Sequence, residues 1–211
     1  MNRDLIIDLH AIKRARTDFP IHPLLGERWS PRAFADRQVE RADLLSLFEA
    51  ARWSASGGNG QPWSFVVATQ AEHEAYAALV DCLAASNAEW ATRAPVLVLG
   101  VTLTVRKDQP YRVGLFDLGL AVQNLVVQAT SLGLVVHPMG GFSKEAARDR
   151  FKIPADHEPV VMLAIGYLGD PATLSEQNRS REVAPRQRKP LGELVFGELW
   201  GQPSPLLSAD D

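Results

Sequence analysis

Cysteine is almost absent from this chain of 211 residues. One thiol, Cys82, excludes a disulfide framework within the chain and any Cys-x-x-Cys metal or redox motif. Flanked by Leu79, Val80 and Leu83, it reads as a packed core residue. The histidines, His10, His22, His73, His137 and His157, nowhere fall at metal-ligand spacing, so no metal site is expected. No Gly-x-Gly-x-x-Gly follows a strand pattern, and no P-loop, His-Glu-x-x-His or Gly-x-Ser-x-Gly elbow is present. Positive charge is not in excess either. A net charge of -3 leaves no electrostatic case for nucleic acid or an anionic membrane. Long uncharged apolar runs are missing: the stretch closest to one, residues 113–132, contains Asp117, Gln123, Asn124 and Gln128, which are costly in lipid. Residues 1–8 lack the pattern of a secretory signal. The expectation is a cytoplasmic protein with no membrane and no nucleic-acid partner.

What the chain does have is helix and strand periodicity in alternation. Residues 1–22 read as a short helix and a proline-containing link. Leu44, Leu47, Phe48 and Ala51 fall at i, i+3, i+4 and i+7, which predicts a helix over about 41–54. Turn formers fill 54–62, and 63–68 reads as a strand. A helix is predicted over 71–86 and a strand, apolar on both faces, over 95–101. A long helix over 112–132 stops at Gly133. A short strand at 134–137, a helix over 143–150 capped by Ser143, and a strand at 159–167 complete the pattern. The stretch 170–190 is polar and arginine-rich and reads as an arm that cannot bury itself. Helices separating strands predict an α/β layered arrangement. The 112–132 helix is apolar around most of its circumference, so it must be covered on several sides. In a chain of this size a partner subunit is a plausible second cover.

Four constellations could carry chemistry. Arg28-Trp29-Ser30-Pro31-Arg32 offers two guanidinium forks and a hydroxyl suited to phosphate oxygens. In Ser56-Gly57-Gly58-Asn59-Gly60-Gln61-Pro62-Trp63 the glycines let backbone amides approach a flat ligand, while Asn59 and Gln61 present donors and acceptors. Pro138-Met139-Gly140-Gly141-Phe142 exposes backbone N–H groups after a strand. Arg186-Gln187-Arg188-Lys189 places three cations within four residues. Taken singly, each reads more readily as a solvated turn or arm. Asp117, on the buried helix, reads as a structural hydrogen-bond acceptor rather than a general base.

In type and order, the four together resemble the nitroreductase-like FMN enzymes. The family's Arg-x-Ser-x-Arg/Lys pattern is similar to residues 28–32, its Ser-x-x-Asn-x-Gln-Pro-Trp to 56–63, its Asp-x-Gly to Asp117-Leu118-Gly119, its Pro-x-x-Gly-Phe turn to 138–142, and its terminal Arg-Lys-Pro-Leu to 188–191. The resemblance implies an α+β fold with a mixed central β-sheet flanked by helices. It also implies a domain-swapped homodimer with FMN at the interface. Residues 1–23 would be an N-terminal arm, 24–198 the FMN-binding domain and 199–211 a mobile tail. By the same resemblance Arg28, Ser30 and Arg188 would hold the FMN phosphate, aided by Arg186, with Trp29 between them. Arg32 would approach the pyrimidine side of the ring, and Asn87 its edge. Ala55, Ser56, Gly57, Asn59 and Gln61 would come from the other subunit. Pro138, Met139, Gly140 and Gly141 would lie along the isoalloxazine, with the Gly141 amide facing N5.

The implied activity is NAD(P)H oxidation by ping-pong hydride transfer through N5 to a flat acceptor: a nitroaromatic, a quinone or a conjugated carbonyl. The cofactor carries the chemistry, so no side chain is expected as nucleophile or base. Two other readings stay open: a flavin carrier or sensor without turnover, and dehalogenation or oxygen-dependent chemistry on the same fold. Two departures from the family bear on the pocket. Gly140 stands where one branch carries Glu. Only residues 103–109 separate the 96–102 strand from the long helix, where many relatives insert a pocket-walling helical excursion. Trp90, Lys107, Tyr111 and Arg112 are candidates to finish an open site.

Overall fold

The structure, a computed structural model, describes residues 9–208. The helix expected within 1–22 falls partly outside that range; residues 9–13 of it are helical. The elements that follow are α1 (Pro23–Glu27), α2 (Arg41–Arg52), β1 (Trp63–Thr69), α3 (His73–Cys82), α4 (Ala85–Ala91), β2 (Val96–Leu103), a small hairpin of β3 (Val105–Arg106) and β4 (Gln109–Pro110), α5 (Gly114–Ser131), β5 (Val135–Met139), α6 (Lys144–Phe151), β6 (His157–Gly166) and α7 (Glu176–Val183).

Four strands form one sheet in the order β1-β2-β6-β5. Side chains alternate across it, which creates two cores. Leu97, Leu99, Met162 and Ala164 pack with Leu79 and Cys82 of α3, Trp90 of α4 and Ala147 of α6. Val96, Val98, Leu163 and Ile165 face the other way, against Leu47 and Ala51 of α2 and Leu118, Leu125 and Ala129 of α5. Helices thus cover both faces, and β2 is buried along nearly its whole length, as its unbroken apolar run predicts.

The α+β class agrees with expectation, but the sheet within the chain is antiparallel throughout rather than mixed. The reason lies in the connections. β2 and β5 run in the same direction, joined through α5, yet β6 inserts between them and pairs antiparallel with both.

Three elements differ from the periodicity. The helix expected over 71–86 breaks at Leu83-Ala84, because Leu83 bridges to Phe142 and the Ala84 N–H donates to the Gly141 carbonyl (3.0 Å). Tertiary pairing outweighs local propensity there. The connection after β2 turns as a hairpin with Lys107 and Asp108 at positive φ. The arm at 170–190 contains α7, whose Asn178 and Glu182 are buried, contrary to the reading that it cannot bury itself. Residues 199–211, read as a tail, are described as far as 208; there Phe196 bridges to Pro203 and contacts the Trp200 ring. Gly133 ends α5 at φ 71, the left-handed cap its position predicts.

Leu163 sits fully buried in a central strand. Leu163→Ala should cost about 2–5 kcal/mol in denaturant unfolding, from lost burial and an unfilled cavity. A cost below about 1 kcal/mol would contradict this two-sided packing.

Candidate functional site

Residues 28–32 run in extended form beside β5, and the structure brings three of the sequence candidates together at their start. Arg28, Arg186 and Arg188 line one groove of about 360 Å³, with Phe19, Leu25 and Lys189 on its walls. Arg28 donates to the Ser30 hydroxyl (3.4 Å). Arg186 spends its two terminal nitrogens on the carbonyls of Arg28 and Gly26, and its Nε–H is buried without a partner. Among the described residues no carboxylate forms an ion pair with any of the three. Burial, then the charge of Arg188, holds the Arg28 guanidinium below its ordinary pKa; burial and the charges of Arg28 and Arg188 do the same for Arg186. Guanidinium groups stay charged in proteins, so this is a cluster of like charges whose chemistry suits an anion.

Farther along, the His137 Nδ1–H donates to the Pro31 carbonyl (2.9 Å), tying β5 to the segment. The Trp90 ring lies against that imidazole (4.4 Å between centroids) and 6.0 Å from the Arg32 guanidinium. Trp90 is buried beneath Arg32 and so cannot wall an open pocket, as had been expected of it. Trp29 is likewise turned inward, packed with Leu9 and Leu168 under the Lys13 ammonium (4.8 Å), so only its backbone faces the groove side. Met139 also points into the core, while Pro138 and Gly140 are exposed. The strand's alternation thus limits Met139 to a backbone role.

At the end of β5, Asn87 of α4 donates to the Gly141 carbonyl (3.0 Å). A Cβ at 141 would lie 2.8 Å from the Asn87 amide nitrogen, so any larger residue would have to displace that side chain from its bond. The Gly141 N–H has no acceptor among the described residues. A Cβ at Gly140 would meet nothing, so the absent side chain leaves open space.

The loop 55–61 stands apart. Its described contacts run to the hairpin and α5, with none to residues 28–32, 138–141 or 186–188. The Gly57 N–H donates to both oxygens of the buried Asp117 carboxylate (3.3 and 3.2 Å), and the Tyr111 hydroxyl lies 3.2 Å from both Asp117 and the Gly57 carbonyl. The structural role expected of Asp117 is therefore seen, and Tyr111 serves it rather than an open pocket wall. The Ser56 hydroxyl accepts from the Gln61 N–H (3.1 Å), while the Gln61 amide donates to the Asn59 carbonyl (3.3 Å). Asn59 and Gln61 both hold positive φ, 51° and 47°, a strain of about 1–3 kcal/mol each that the surroundings must impose. Ala55 is exposed beside this loop.

Sequence reasoning missed His137, Glu182 and Lys13. His137 looked like one isolated histidine, and Glu182 belonged to a helix that periodicity did not reveal.

With this geometry in hand, known proteins offer a comparison. The family model described as the nitroreductase family matches residues 25–167. A 15.4 kDa protein of Mycolicibacterium smegmatis, without an assigned role, is 33% identical over 133 residues, covering 63% of this chain and 89% of that one. A Stenotrophomonas maltophilia protein described as an NADH dehydrogenase/NAD(P)H nitroreductase is 26% identical, covering 78% of this chain and 91% of its own. Among solved structures, an oxidoreductase containing FMN superposes with a TM-score of 0.82 at 33% identity, covering 87% of this chain and 94% of that one. A nitroreductase family protein from Clostridium difficile 630 superposes at 0.67, with 27% identity and 83% and 96% coverage.

Burial, with the Arg32 and Arg28 charges adding to it, pulls the His137 pKa down to about 4 against its bond to Pro31. The unfolded chain takes up that proton near pH 6.5 and the folded one does not. Stability is therefore fully present above pH 6.5 and falls by about 3 kcal/mol as the pH drops from 6.5 to 4. Melting temperatures across that window should fall less steeply in His137→Asn than in the parent; equal slopes would refute the assignment.

Proposed function

This chain belongs to the nitroreductase family, and from that premise we propose that it is an FMN-dependent NAD(P)H oxidoreductase acting as a homodimer with shared flavin sites. The observation that carries the reading is the unpaired arginine cluster at the head of an extended backbone strip. Its donor set fits a phosphate dianion: Arg28 and Arg188 supply charged forks, Ser30 a hydroxyl, and Arg186 holds the backbone of residues 26–28 in place. The FMN in the solved relative that superposes with a TM-score of 0.82, and the NAD(P)H in the Stenotrophomonas relative's description, support the same choice.

Bound there, the flavin supplies a ring that accepts hydride from a nicotinamide donor and passes it to a flat acceptor. The residues of this chain bind, orient and set charge. Arg32 faces the pyrimidine edge and stabilises the negative charge gained on reduction. Asn87 and the Ala84 N–H fix the Gly141 carbonyl and so restrain Gly141 itself, whose free N–H, in the preceding peptide, would be offered to N5. Gly140 puts no side chain or charge of its own beside the ring, and the open space there suits a flat acceptor such as a quinone, a nitroaromatic or a conjugated carbonyl.

The loop 55–61 comes from the second copy. Its strained, pinned shape has no ligand-facing partner in its own chain, which supports that assignment. The face of α5 next to it also calls for a cover: Val113, Leu115 and Phe116 are exposed, Phe116 by 68%, and Leu45 and Trp53 of the α2 region are exposed as well.

Arg28→Ala should weaken FMN binding about 10- to 100-fold, from the loss of a charge-assisted contact, read by fluorescence titration; unchanged affinity would refute the phosphate role. Flavin-loaded protein should elute near twice 23.2 kDa and bleach under anaerobic NADH or NADPH. A flavin-loaded monomer would contradict the shared site, and flavin that neither donor bleaches would make the protein a binder without turnover.

A further inference from the structure

Glu182 is fully buried, on a helix that is otherwise polar. Its carboxylate does not neutralise a cation by direct ion pairing. Instead it accepts backbone N–H groups from the strip that carries the flavin contacts: Arg32 donates to both oxygens (2.9 and 3.0 Å), and Ala33 donates to one (3.0 Å). A charge buried this way is costly unless such donors satisfy it. Lys13, only 5% exposed, closes the cluster from the N-terminal side. Its ammonium donates to the carbonyls of Arg181 (3.1 Å) and Ala184 (2.6 Å) at the end of α7, and so anchors that helix against residues 28–33. Burial pushes the Glu182 carboxyl up, while the Ala33 and Arg32 N–H bonds and the charges of Arg32 and Lys13 act against it.

We propose that Glu182 is a positioning residue for the flavin: it sets the backbone that aims Arg32 and offsets part of the Arg32 charge, so that α7 tunes both flavin affinity and reduction potential. The inference rests on the reading that Arg32 faces the flavin ring. It follows from what the carboxylate touches. The groups it holds are the Arg32 and Ala33 amides, two to five residues from Ser30 and Arg28. A displacement there moves the ring contact and the phosphate contact together. Its negative charge also opposes the Arg32 field that would favour a reduced, more negative flavin.

The test measures the FMN dissociation constant, the midpoint potential and the melting temperature of the FMN-loaded protein and of three variants, Glu182→Gln, Glu182→Asp and Arg32→Gln. Glu182→Gln keeps the volume but turns an amide N–H toward a backbone N–H. It should weaken FMN about tenfold and move the midpoint to more positive values, because the Arg32 charge is less offset. Arg32→Gln should move the midpoint the opposite way. Glu182→Asp keeps the charge but withdraws it by one methylene, so it should hold the parent midpoint while binding FMN several-fold more weakly. If Glu182→Gln does not fold, Glu182→Asp carries the test, and unchanged FMN affinity in it would overturn the proposal. A Glu182→Gln protein that only melts lower, with parent affinity and midpoint while Arg32→Gln still shifts the midpoint, would reduce Glu182 to a structural clamp. A parent midpoint in Arg32→Gln would overturn the ring placement itself.

Discussion

Repulsion among Arg28, Arg186 and Arg188 is the constraint to which the rest of the molecule answers. Three guanidinium groups lining one groove, with no carboxylate partner among the described residues, repel one another, a cost that binding of a dianion would relieve. Holding them together takes structure from both ends of the described chain. Arg186 is threaded onto the carbonyls of Gly26 and Arg28, and α7 is fixed by Lys13 from one side and by Glu182 from the other. The sheet, with its two-sided core, serves as the rigid frame: β5 carries His137 to the same segment and delivers the turn at 140–141 a few residues later.

Two kinds of electrostatic arrangement coexist within a short stretch of backbone. At Arg28, Arg186 and Arg188 the cations have no carboxylate partner among the described residues, an arrangement suited to an anion. At Arg32 a buried carboxylate stands close enough to temper the charge. Neutral His137 lies between them, kept unprotonated by burial and by its arginine neighbours, so it adds no third charge to the strip. The 55–61 loop obeys a different rule. Its shape is set by Asp117 and Tyr111 from its own chain, and its two positive-φ residues, Asn59 and Gln61, are exposed.

Much of this was legible in the sequence where a residue acts through its immediate neighbours. The apolar run of β2, the Ser143 cap and the Gly133 stop each state their role locally. Features that depend on distant pairing were not legible. The break between α3 and α4 exists because Leu83 meets Phe142, and only that break brings Asn87 to Gly141. The antiparallel sheet follows from β6 inserting between β2 and β5. Helix α7 hides its two buried polar residues in a sequence that looks solvated, since a carboxylate can be buried only where backbone donors from residues 150 positions away come to meet it. Met139 and Trp29 stand near the ligand by motif and Trp90 as a candidate pocket wall, and packing turns all three side chains inward.

Whether one site is built from two copies is the claim on which the account turns, and subunit complementation addresses it directly. Arg28→Ala weakens the proposed phosphate cluster and Asn59→Leu the loop, so each variant alone should bind flavin weakly at both of its sites. Unfolding and refolding the two together yields mixed dimers in which one site receives both defects and the other receives neither. The account predicts that these mixed dimers regain flavin at one of their two sites. A mixture no yellower than its parents, or full flavin retention by Asn59→Leu alone, would contradict it.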